Sequence, residues 1–170
     1  MRRLTDDVIP ESGATGIVIY GSGRHFSSGA DLDDLISAIK EREEAAGAGD
    51  QSSILTDNLG SFAFFENLDI PVVAAIRGIC LGSALELTLF CHGRICGKGS
   101  VLGLPESTFG LIPGCGGIQK MASLAGRSRA MELVLSGSTF TPEEALRWKI
   151  VDKIAPKNDA VPVAIDFIRS

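Results

Sequence analysis

The sequence predicts an α/β fold built on parallel strands, and three observations carry that prediction. Residues 14–20 (ATGIVIY) and 72–76 (VVAAI) are short, β-branched, apolar runs of the kind buried strands show. Other stretches place apolar residues at helical spacing. Strand-like and helix-like segments alternate along the chain, which calls for crossover connections and parallel pairing.

Each element follows in order. The first strand ends at Gly21-Ser22-Gly23, and a glycine-containing loop, residues 25–32 (HFSSGADL), comes next. Asp31 can cap a helix through about Ala46, with Lys40, Glu41, Arg42, Glu43 and Glu44 on its solvated face. Gly47-Ala48-Gly49 breaks it. Ile54, Leu59, Phe62, Phe65 and Leu68 then recur at helical spacing, predicting a helix over 51–68. Pro71 precedes the second strand. Residues 78–91 read as a helix after an initial glycine, and 94–96 and 101–104 as short strands. Pro113-Gly114-Cys115-Gly116-Gly117 is a second glycine-rich loop, opening a helix through about Leu124. Residues 128–135 are another helix. Thr141-Pro142-Glu143-Glu144 is a helix start, with Thr at the N-cap, Pro at N1 and Glu at N3. A strand over 150–154 and a helix over 160–168 close the chain.

Composition bounds the function. A chain of 170 residues is about one domain. With 45% hydrophobic and 22% charged residues it is neither disordered nor collagenous. A net charge of −5 argues against nucleic acid as partner, because phosphate binding needs a basic face. Four cysteines without a C-x-x-C pair, and two histidines, spell no zinc site, so no metal is expected. Cysteines in apolar runs read as small buried hydrophobes of a reducing compartment. Residues 1–7 hold no secretory-type apolar stretch, and the longest apolar run, 79–91, contains Glu86 and is too short to span a bilayer. A soluble cytoplasmic protein, or one from another reducing intracellular compartment, is expected. Glycine is in excess, with 20 residues, pointing to tight turns or close backbone approaches.

Several sites of chemistry are testable on paper. Gly21-x-Gly23 follows a strand, but Phe26 stands where the third glycine of a dinucleotide fingerprint belongs. No G-x-x-x-x-G-K-[ST] or G-x-S-x-G occurs. Glu86 lies among Leu81, Ala84, Leu85, Leu87, Leu89 and Phe90, on a helix apolar all round and therefore buried. Such a carboxylate is either paired, with Arg77 or Arg94 as candidates, or raised in pKa and fit for acid–base work. Gly82 and Ser83 stand one turn earlier, where helix N–H groups can hold an oxyanion. Glu106, after Pro105, is either an exposed residue of a helix start or a second catalytic carboxylate. Ser27-Ser28-Gly29-Ala30-Asp31-Leu32 is either a plain capped turn or a second oxyanion donor.

These motifs come in order with Ile70-Pro71-Val72-Val73-Ala74-Ala75-Ile76-Arg77-Gly78 and Gly110-Leu111-Ile112-Pro113-Gly114-Cys115-Gly116-Gly117. Together they resemble the crotonase family of enoyl-CoA hydratases and isomerases, over about residues 16–156. The resemblance implies a crotonase-like ββα superhelix, parallel strands with surrounding helices, with a spiral core over 1–156 and the start of a C-terminal helical segment over 157–170. It implies that the chain is short for its fold, lacking elements before Met1 and after Ser170. It implies an oxyanion hole from the N–H groups of Ala30 and Ser83, and Glu86 and Glu106 as catalytic glutamates that add water across the 2,3 double bond of an acyl-CoA thioester in fatty acid metabolism. Ser28, Gly29, Asp31, Leu32, Gly82, Pro105 and Gly114 would line the substrate pocket, and Arg24 would meet a CoA phosphate. No separate cofactor is implied, since CoA is part of the substrate. A homotrimer or hexamer is implied. The sequence departs from the family at Ser83, where glycine is usual, and at His92, where Asp is frequent. The alternatives are 3,2-isomerisation, dehalogenation, ring hydration, or acyl-CoA binding without catalysis.

Overall fold

Strand β2, Val72–Ile76, is apolar at all five positions and buried at all five, so it needs cover on both faces. The structure, a computed structural model, describes residues 8–31, 37 and 62–170. It places β2 inside a parallel sheet of four strands. The order is β1 (Ile17–Tyr20), β2, β4 (Gly93–Gly97), β7 (Lys153–Ala155), and β4 is likewise buried throughout. The register pairs Ile17 with Val72, Val73 with Gly93 and Ile95 with Lys153. A second sheet sets β3 (Ile79–Leu81) parallel to β5 (Val101–Gly103), with the two-residue β6 (Thr139–Phe140) antiparallel to β5.

Strand periodicity divides the core. Val72, Ala74 and Ile76 face a large cluster with Leu85, Leu102 and Met121. Val73 and Ala75 face the other way, onto Ile95, Ala160 and Ala164. The helices are α1 (Ile9–Glu11), α2 (Ser83–Leu89), α3 (Gly117–Ala125), α4 (Arg127–Ser136), α5 (Pro142–Arg147) and α6 (Ala160–Arg169), with a 3-10 helix at Pro105–Phe109 and further helix over residues 62–66. Helix α6 packs across the four-stranded sheet. The start of α5 is as expected: Thr141 Oγ1 accepts from Glu144 N–H at 3.2 Å, and the Glu144 carboxylate accepts from Thr141 N–H at 2.9 Å. This reciprocal cap stabilises α5 by about 1 kcal/mol.

Four expectations need correction. Residues 78–91 are not one helix. Gly78, at φ +62°, turns the chain out of β2, residues 79–81 extend as β3, and Gly82, at φ +58° and ψ −134°, turns it again into α2. Both are left-handed turns that glycine adopts without steric cost. The last strand starts later than 150, because the N–H groups of Ile150 and Val151 bond back to Ala145 O and close α5. The helix predicted over 51–68 stops at residue 66. Pairing is parallel with the single exception of β6 among the described strands. The helix expected from Asp31 to Ala46, the break at 47–49, Leu32, Ile54 and Leu59 lie outside the described residues. No helix among the described residues is long and apolar enough to cross a membrane.

A buried cation ties this fold together. Arg94, on β4, is 4% exposed. Its Nε donates to Ile150 O at 2.8 Å and one terminal nitrogen donates to Cys91 O at 2.7 Å. The other terminal nitrogen lies 3.1 Å from the Asp152 carboxylate, which also accepts Arg94 N–H at 2.7 Å. His92 takes a structural place as well: its Nδ1 accepts the Val72 N–H at 3.0 Å at the start of β2.

Candidate active site

Glu86 sits in the first turn of α2 and is 1% exposed. Neither arginine suggested by the sequence pairs with it. Arg94 is held as above, and Arg77 donates to Gly23 O. Instead Glu86 Oε1 accepts two backbone N–H groups, Cys115 at 2.9 Å and Gly117 at 2.8 Å. The second glycine-rich loop and the first turn of α3 thus close over this carboxylate. A Cβ on Gly117 would fall 2.5 Å from Glu86 Cγ and 2.7 Å from Oε1, so only glycine fits there. Burial pushes the Glu86 carboxyl above its ordinary range, against the opposing pull of the N–H groups of Gly117, Cys115 and Gly114.

Glu106 is the second residue of the 3-10 helix, after Pro105. Its Oε1 faces the N-cap of α2: a Cβ on Gly82 would meet it at 3.0 Å. Its Oε2 is buried and has no hydrogen-bond partner among the described residues. Burial pushes this carboxyl up too, opposed by the residue's own backbone N–H and reinforced by the charge of Glu86. The two glutamates, twenty residues apart in sequence, therefore lie close enough for their charges to interact. Cys115 sits with them. Its thiol is pushed up to about 12, first by burial and then by Glu86 and Glu106. The sequence marked Cys115 only as a small buried residue; its place between Gly114 and Gly116-Gly117 was the available signal.

The loop from Gly21 to Ala30 is stitched to the β2–β3 turn. Phe26 N–H donates to Arg77 O at 2.7 Å, Ser27 N–H to Ile79 O at 3.1 Å, and Leu81 N–H to Ser27 O at 3.1 Å. His25 Nδ1 accepts Ile79 N–H at 3.1 Å. This brings Gly29, at φ +101°, so close to the start of α2 that a Cβ on it would lie 2.9 Å from Leu81 O and 3.5 Å from Ser83 N. The N–H groups of Ala30 and Ser83 find no acceptor among the described residues. Ser28 and Asp31 are exposed on the same loop. Arg24 is exposed further back, its carbonyl packed against Gly78. Gly114 is turned toward Glu86. The structure thus joins Gly29, Ala30, Gly82, Ser83, Glu86, Pro105, Glu106 and Gly114, and places Arg24 on the periphery. Two backbone N–H groups beside two carboxyls of raised proton affinity can polarise a carbonyl and move protons next to it.

Comparison with known proteins points the same way. The subunit alpha of the fatty acid oxidation complex of Shewanella frigidimarina is 37% identical over 155 residues, covering 90% of this chain and 21% of that protein. The crystal structure of an enoyl-CoA hydratase from Bacillus anthracis superposes with a TM-score of 0.85 at 30% identity, covering 99% of this chain and 62% of the other. An enoyl-CoA hydratase from Polaromonas sp. JS666 gives 0.81 at 26% identity, covering 90% and 58%. The chain spans about a fifth of that curated relative and about three-fifths of these solved ones. The fold is the crotonase fold of these structures. The family model for enoyl-CoA hydratase/isomerase matches residues 7–170, and the chain belongs to that family.

Proposed function

We infer that the chain hydrates the 2,3 double bond of a 2-enoyl-CoA thioester. The observation that supports this most is the nearness of buried Glu86 and half-buried Glu106, two carboxyls of raised proton affinity, to the N–H groups of Ala30 and Ser83, which lack an acceptor among the described residues. The thioester carbonyl sits between those two N–H groups. Charge that builds on its oxygen is stabilised there, one such donor contributing about 3 kcal/mol. Glu86, its plane fixed by Cys115 and Gly117, orients the water and takes its proton as oxygen bonds to C3. Glu106, protonated and with an unpartnered buried oxygen, delivers a proton to C2. Proton exchange between the two carboxyls then restores the starting state. No cofactor enters. Gly82, Pro105 and the loop around Gly29 line the acyl end, and Arg24 reaches a CoA phosphate. A homotrimer or hexamer belongs to the same reading.

The reaction is visible directly. Hydration of a short 2-enoyl-CoA is expected to abolish the ultraviolet absorbance of the conjugated thioester and yield a product heavier by one water. A rise in that absorbance from a 3-enoyl-CoA would instead mean isomerisation. Saturable binding without turnover would overturn the enzymatic reading.

A further inference from the structure

Away from the glutamates lies a groove of about 650 Å³, between the α3–α4 corner and the end of α5. That volume falls in the range of small-molecule sites. Its charged lining is lopsided: Arg127, Arg129, Arg147 and Lys149 face it against one carboxylate, Glu132. The chain as a whole carries −5, so this is a local concentration of positive charge. Arg129 already neutralises Glu132 at 2.6 Å, and its guanidinium is stacked 4.5 Å over Trp148, which makes it a fixed wall. No carboxylate among the described residues lies within ion-pair distance of Arg127, Arg147 or Lys149. Glu144, whose charge reaches Arg147 and Arg129, is held in the cap of α5.

Lys149 adds an independent point. It is the only described non-glycine residue with a left-handed backbone, at φ +62°. It occupies the turn that closes α5, where Ile150 N–H reaches back to Ala145 O, a position at which glycine is favoured because it avoids the Cβ clash. Glycine would serve the fold better. The strained position instead carries a cation into the groove, and strain retained against the fold points to a role.

We propose that this groove is a binding site for a small molecule bearing two adjacent phosphate groups. Three cations with no ion pair among the described residues, set around one cavity, match two linked phosphates better than one, and arginines recognise phosphate oxygens in pairs. The site is separate from the acyl-CoA chemistry proposed above and does not depend on it.

Trp148 is the single tryptophan of the chain and lines the groove, so its fluorescence reports binding. Titration with inorganic pyrophosphate, at ionic strength held constant with chloride, is expected to give a saturable change, with orthophosphate about tenfold weaker. Lys149→Gly should raise the melting temperature of the ligand-free protein by roughly 2–4 °C and weaken pyrophosphate binding about tenfold. Arg127→Ser should weaken binding similarly without the gain in stability. A lost response with unchanged or lower stability in Lys149→Gly would overturn the argument from strain. No saturable change in the parent chain, or an undiminished one in both variants, would overturn the site itself.

Discussion

Glu106→Gln is expected to lower kcat by about 10²- to 10⁴-fold, with little change in acyl-CoA affinity. The substitution keeps the shape of the side chain and removes the proton that the proposed step delivers to C2. Near-normal turnover would sink the assignment. The same variant should be more stable than the parent at neutral pH. The Glu106 carboxyl is raised by burial and by the neighbouring Glu86, so the folded chain holds that proton more tightly than the unfolded chain does. Stability from such a group is complete below the ordinary glutamate range and is lost as pH rises through the raised folded value. Glutamine has no such dependence. The melting-temperature advantage of Glu106→Gln should therefore grow from mildly acidic to neutral pH, and a constant or shrinking difference would contradict the raised pKa. Activity falling while stability rises is the signature of a buried carboxyl kept for chemistry.

Asp152→Ala is expected to destabilise the fold by about 3 kcal/mol, lowering the melting temperature by roughly 10 °C. Arg94 is buried in the core, and Asp152 gives it its only carboxylate among the described residues. Truncation leaves that charge with the carbonyls of Ile150 and Cys91, and strips the Arg94 N–H of its acceptor. Asp152 is itself about a third exposed, so water offsets part of the loss and the figure sits at the low end for buried pairs. Asp152→Asn keeps an acceptor at the same place and should lose about half as much. Equal melting temperatures for parent and Asp152→Ala, read by calorimetry, would show that the carbonyls alone suffice.

Much of this was legible in the sequence because it rests on local rules. Val72–Ile76 announced a strand covered on both faces, and Thr141 to Glu144 announced its own cap. Glu86 was legible as a carboxylate on a helix without a polar face. Its partners were not, since the choice between an arginine and a pair of backbone N–H groups is made by residues 29 and 31 positions away in sequence. The short strand Ile79–Leu81 hid inside an apolar run because three residues show no period, and only its flanking positive-φ glycines separate it from α2. Cys115 read as filler because burial looks the same in sequence whatever the buried group touches.

The register of the four-stranded sheet has a consequence for how the site comes into being. Ile17 meets Val72, Val73 meets Gly93 and Ile95 meets Lys153, so no neighbouring pair can close as a local hairpin. Loop-closure entropy then ranks the pairings, and β2 with β4, joined through α2, is the shortest excursion. That unit carries Ser83 and Glu86. Ala30 arrives with β1, and the clamp on Glu86 arrives with α3. The site is thus a late assembly of early and late pieces, and pulse-labelling hydrogen exchange should find β2 and β4 protected before β1. A chain caught midway would hold Glu86 without the loop that clamps it.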